Sequence, residues 1–284
     1  MEIQSRRAIE SDAIYDNGVI YFGCNDDYLY AIDATSGTLK WKYRTSANVS
    51  SSPTILNDRI FFGSSDNHLY ALNKNTGGLL WSYATGAMIN QSRASLVNGV
   101  LYFGSRDGHL YAVDASTGTL KWKYNTGGIS IEMSSPTVAN GIVYVGAWYD
   151  VSNFSRKGSV HAVNANDGTL LWEAIQNTGI GSSPCVSNGR LYISADDMYF
   201  YALNASNGST IWRKQILPNG ASATVSNGIV YVGGGGTRYI YAFDAISGSE
   251  KWRFSIPTGL STSNPLIVRG NGEAVHSGVS GSMP

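Results

Sequence analysis

The chain has 284 residues, of which 14% are charged and 33 are glycine, against about 25% and about 7% in an average protein. Its 20 basic and 20 acidic side chains cancel, so no net field favours a nucleic-acid partner or an anionic membrane surface, and no apolar run approaches the ~18 residues of a transmembrane segment. Sparse charge with abundant Gly, Tyr, Trp, Val and Thr describes pleated strands joined by tight turns.

In chain order, Met1 to Arg7 lacks the apolar stretch of a signal peptide, which leaves the compartment open. Glu2 to Ser5 align, on a shift of 40 residues, with the tail of a later strand. An eleven-residue block from an Ala to a Trp then recurs: Ala31 to Trp41, Ala71 to Trp81, Ala112 to Trp122, Ala162 to Trp172, Ala202 to Trp212 and Ala242 to Trp252. The third position is Asp or Asn and the seventh is Gly. Each period of about 40 residues reads as four short strands. In the second, the strands fall at Ser51 to Ile55, Arg59 to Gly63, His68 to Asn73 and Leu79 to Tyr83. Asn-Gly pairs beginning at Asn17, Asn98, Asn140, Asn188, Asn227 and Asn271 predict two-residue hairpins, because both central residues must accept positive φ. No stretch carries a helical period. Four antiparallel strands per ~40 residues, repeated, predict an all-β propeller, with Trp41, Trp81, Trp122, Trp172, Trp212 and Trp252 as structural wedges between blades.

The block Ala-x-Asp-x-x-Thr-Gly-x-x-x-Trp, cleanest at Asp114 to Trp122, resembles the tryptophan-docking motif of pyrroloquinoline quinone (PQQ) repeat propellers. The resemblance covers nearly the whole chain as a single domain, 1–284. It predicts seven blades, six complete and a partial one at 261–284, or a part of an eight-bladed protein. It implies several functions, since such propellers serve as quinoprotein dehydrogenases, outer-membrane assembly lipoproteins and sensor domains.

Departures from the repeat mark the candidate sites. Gly146 to Ala162 spans 16 residues where the corresponding Gly63 to Ala71 spans 8, and the extra segment carries Trp148 and Tyr149 beside charged residues. It reads as a recognition loop or as a solvated hairpin tip. At the mouths of the inner strands, where Ser52, Ser135, Ser183 and Ser222 stand, three copies differ: Asp12, Arg93 and Asn264. With Gln91 and Glu132 on adjoining loops, they form either a polar ligand site or a mutually satisfied polar cluster.

The resemblance also raises PQQ and calcium as cofactors. Glu132, Asn264 and Asp12 are the residue types of such a calcium set, yet their spacing matches no compact motif. Cys24 and Cys185 are not the adjacent pair that many of these dehydrogenases carry. His68, His109 and His161 follow the repeat and read as structural. The favoured expectation is a non-catalytic binding or scaffold module for a protein or small polar ligand. The alternative is a PQQ-dependent dehydrogenase of alcohols or sugars.

Overall fold

The computed structural model describes residues 7–127, 130–131, 133–151, 155–175, 178–217, 220–234, 237–255, 267–268 and 274–275. The first sheet joins β1 (Ile14–Asp16), β2 (Val19–Cys24), β3 (Tyr28–Asp33) and β4 (Leu39–Arg44). The second joins β5 (Thr54–Leu56), β6 (Arg59–Gly63), β7 (His68–Asn73) and β8 (Leu79–Ala84), and the third β9 (Ser95–Val97), β10 (Val100–Gly104), β11 (His109–Asp114) and β12 (Leu120–Asn125). The fourth holds β13 (Thr137–Ala139), β14 (Ile142–Val151), β15 (Ser155–Asn164) and β16 (Leu170–Ala174), and the fifth β17 (Cys185–Ser187), β18 (Arg190–Ser194), β19 (Tyr199–Asn204) and β20 (Thr210–Gln215). The sixth holds β21 (Thr224–Ser226), β22 (Ile229–Gly234), β23 (Tyr239–Asp244) and β24 (Glu250–Ser255), and a two-stranded piece, β25 (Ile267–Val268) with β26 (Ala274–Val275), follows.

Each of the six sheets is an antiparallel meander of strands in sequence order, and the described residues contain no helix. These are the blades of a β-propeller, six complete and the start of another. Two compact units divide the chain, 1–133 and 134–284, and three of the four-stranded sheets fall in each.

The hairpins follow from local chemistry. Asp16 pairs with Val19 across Asn17-Gly18, and both turn residues have positive φ, 47° and 77°, as a tight hairpin on right-twisted strands requires. The same occurs at Asn98, Asn140, Asn188 and Asn227; Asn271 lies outside the described residues. After each third strand an Asx turn forms. Asp33 Oδ1, for example, accepts the backbone N–H groups of Thr35 and Ser36.

Consecutive sheets within a unit pack through both faces of their central strands. Ile60 and Phe62 face the first sheet with Tyr21, Leu29 and Val49. Phe61, between them, faces the third sheet with Leu101, Phe103 and Tyr111. Strand side chains alternate between faces, so a strand sandwiched between two neighbours must be apolar at every position. The tryptophans join sheets in a second way. The indole Nε1–H donates to a carbonyl of the next sheet: Trp41 to Lys74 (2.9 Å), Trp81 to Ala115 (3.3 Å) and Trp172 to Ala205 (3.0 Å). Each ring lies over the turn glycine of that sheet. A Cβ on Gly77, Gly118, Gly208 or Gly248 would come within 2.8 Å of Trp41, Trp81, Trp172 or Trp212. Trp122 is buried, and Trp252, beside Tyr231, is 46% exposed.

Candidate functional site

Serine hydroxyls organise the inner-strand mouths. Three residues before the first strand of its sheet, Ser51 Oγ accepts from Gly63 N (2.7 Å) and donates to Gly63 O (2.9 Å). Ser11 brackets Gly23 in the same way and Ser182 brackets Ser194. The following residue forms a latch between sheets. Asp12 N–H donates to Ser52 Oγ (2.9 Å), Ser135 N–H to Ser183 Oγ (2.9 Å) and Ser183 N–H to Ser222 Oγ (2.8 Å). The repeated serines are therefore backbone acceptors holding the mouths in register.

The third sheet breaks this pattern. Ser92, in the bracketing position, is buried with a hydroxyl that has no hydrogen-bond partner among the described residues. Gln91 before it is exposed and sits in the left-handed region at φ 40°, a conformation that costs energy for a side chain of this kind. Arg93 after it replaces the latch serine. Its side chain is 21% exposed, and its Nη2 lies 3.9 Å from Asp12 Oδ2, whose own side chain is 71% exposed. Burial lowers the guanidinium pKa below its usual value, and Asp12 offsets part of that. A mostly buried guanidinium thus stands beside the exposed carboxylate of Asp12, and guanidinium groups bind carboxylate, amide or hydroxyl oxygens.

Of the sequence-derived candidates, Asp12 and Arg93 approach each other at 3.9 Å, and Gln91 lies two residues before Arg93 with an exposed side chain. Glu132 and Asn264 lie outside the described residues. Trp148 and Tyr149 belong to the fourth sheet, where the insertion extends two strands. β14 and β15 are ten residues each and stay paired from Ile142↔Asn164 to Val151↔Ser155. The Trp148 ring covers Gly179, on which a Cβ would stand 2.5 Å from the indole. Sequence reasoning missed Ser92, because its residue type matches the repeat and only its unmade hydrogen bond sets it apart.

Other candidate chemistry resolves into structure. Tyr70 and Tyr111 donate to Asp66 and Asp107, four residues earlier, at 2.7 and 2.6 Å. Those carboxylates also accept N–H groups from the loop arriving from the preceding sheet, Ser46 and Gly86. In the fourth sheet His161 takes the tyrosine position, and its Nε2 meets Ser159 Oγ at 2.8 Å, both groups buried. Desolvation pushes His161 down to about 4, so it is neutral at pH 7. Both cysteines are free thiols, and burial pushes Cys185 up to about 12. Among the described residues no group of three or more His, Cys, Asp or Glu could hold a metal, and no helix is long and apolar enough to cross a membrane.

The described residues do not fit a calcium-held quinone. Asp12, the described member of the implied ligand set, has a guanidinium 3.9 Å away, where a divalent cation would meet a like charge. Neither thiol belongs to an adjacent cysteine pair.

No curated protein sequence matches the chain. Among solved structures, BamB from Moraxella catarrhalis is similar with a TM-score of 0.77 at 19% identity, covering 94% of this chain and 79% of that one. Two larger proteins are similar too. Quinohemoprotein alcohol dehydrogenase ADHIIG from Pseudomonas putida HK5 has a TM-score of 0.72 at 16% identity, covering 92% of this chain and 63% of that one. The quinohemoprotein alcohol dehydrogenase of Comamonas testosteroni has a TM-score of 0.69 at 14% identity, covering 91% and 63%. At these identities the likeness is one of fold. A family profile described as "Outer membrane protein assembly factor BamB" matches residues 3–154 and 156–281, nearly the whole chain, and the protein belongs to this family of PQQ-repeat propellers.

Proposed function

We infer that the protein is a non-catalytic binding module whose inner-strand mouth around Arg93 and Asp12 receives an anionic or polar group of a partner. The observation that carries this reading is the broken latch of the third sheet. Where the repeat stabilises itself with serine, this chain spends a hydroxyl hydrogen bond and a left-handed Gln91 to hold a largely desolvated guanidinium, and local strain of that kind clusters at functional sites. The family's description as an assembly factor supports a protein partner, presenting an acidic side chain, over a free small ligand.

The test is calorimetric titration of the chain with short Asp- and Glu-containing peptides and with small carboxylates, repeated on Arg93→Gln. Saturable binding lost in the variant is expected. In parallel, the chain is incubated with PQQ and Ca²⁺ and assayed for dye reduction with alcohols and aldoses. Turnover there would replace the binding reading with a dehydrogenase.

A further inference from the structure

Each sheet ends in an outer strand with one edge unpaired among the described residues: β4, β8, β12, β16, β20 and β24. Unpaired edges template association, and natural sheets guard them with charge. In these strands the first, second and fourth residues face solvent, as does the sixth where there is one. β4 shows Lys40, Lys42 and Arg44 there, β12 shows Lys121 and Lys123, β20 shows Arg213, β24 shows Lys251 and Arg253, and β16 shows Glu173. β8 shows Leu79, Leu80, Ser82 and Ala84, and it is the outer strand without a charged residue. Leu79 and Leu80 are 51% and 44% exposed.

The fourth residue decides the partner. When a strand pairs antiparallel with its own copy about a two-fold axis at that residue, the residue meets itself, and like charges directly opposite destabilise a pair. The self-opposed residue is Lys42, Lys123, Glu173, Arg213 or Arg253 in the five guarded strands. In β8 it is Ser82, with Trp81 falling opposite Tyr83 on either side. We propose that β8 pairs with β8 of a second copy of this chain, antiparallel about a two-fold axis at Ser82, merging two four-stranded sheets into one of eight. The register shift between Ala71 and Leu72 leaves Leu80 as a bulge without a partner on β7, so regular pairing is confined to residues 81–84 and centres on Ser82. Trp81 keeps its hydrogen bond to Ala115, since the incoming strand adds at the opposite, outer edge.

Sedimentation equilibrium of the full chain from about 1 to about 100 µM should show a reversible dimer, with Ser82→Lys weakening it at least about tenfold and Ser82→Thr leaving it in place. Ser82→Cys should give a disulfide-linked dimer under mild oxidation, because self-opposed strand residues lie within disulfide reach, whereas the parent chain, with Cys24 buried and Cys185 half-buried, should not. Glu250→Cys, on β24, should stay monomeric on a non-reducing gel. A chain monomeric at the highest concentration overturns the proposal and leaves β8 to an extended segment of a different protein. A dimer indifferent to Ser82→Lys, with Ser82→Cys uncrosslinked, overturns it as well by placing the contact elsewhere.

Discussion

Trp41 lies over Gly77 of the next sheet, with its Cδ2 and Cε3 2.8 Å from where a Cβ on that glycine would stand, and its Nε1–H donates to Lys74 O three residues earlier. The glycine is thus required twice, by a φ of 72° and by the ring that covers it. Gly37 has nearly the same φ, 68°, with nothing within 4 Å. Gly37→Ala should cost about 1 kcal/mol from the backbone alone. Gly77→Ala should cost about 3 kcal/mol, since the indole must also move. Urea unfolding of the two variants measures the difference, and equal costs would show that the ring contact contributes nothing.

Trp172 is 8% exposed and bonded to Ala205 O, whereas Trp252 is 46% exposed. Trp172→Ala should destabilise by about 3–5 kcal/mol, and Trp252→Ala by less than half of that. Denaturant midpoints at constant slope decide it.

Arg93→Ser restores the repeat's residue. Ser52 N–H would regain a hydroxyl acceptor of the kind that Asp12 N–H finds on Ser52, and a desolvated cation would disappear. Stability should rise by about 1 kcal/mol while ligand titration goes flat, the signature of a site maintained at a cost to the fold. A variant that is less stable than the parent would mean Arg93 is itself structural.

His161 sets an acid limit. Its pKa is lowered to about 4 in the folded state by burial, from about 6.5 in the unfolded chain. Below pH 6.5 the unfolded state binds a proton that the folded state refuses, so stability falls as pH drops from about 6.5 to about 4, by up to about 3 kcal/mol. Thermal melts at pH 7, 5.5 and 4.5 should show this slope, and His161→Gln should flatten it.

The blade pattern was legible because its causes are local. Asn17-Gly18 makes its hairpin without help from the rest of the chain, and the alternation in Ile60-Phe61-Phe62 follows from lying between two sheets. The broken latch was legible only in part. Arg93 and Asp12 stood out by residue type against Ser52 and Ser183, but their 3.9 Å approach spans the second sheet and depends on the packing of three. Ser92 carries the same side chain as Ser51, and only Gln91's backbone separates their fates. The segment between Gly146 and Ala162 reads equally as a recognition loop or a hairpin tip, because eight extra residues do not by themselves say that strand pairing continues to Val151 and Ser155. Tyr70 bonding to Asp66 is likewise a relation between a strand and the turn ahead of it, invisible to a count of residue types.

The two-sided packing of Ile60, Phe61 and Phe62 also limits how such a chain can diversify. A change at Phe61 is felt by the third sheet and one at Phe62 by the first, so the central strands have no surface on which to acquire new properties. Novelty is confined to the perimeter strands and to the loops at the sheet ends. A gene built by copying one such sheet inherits a fixed interior, and its copies become different proteins only at their rims and mouths, as Arg93 and β8 already have.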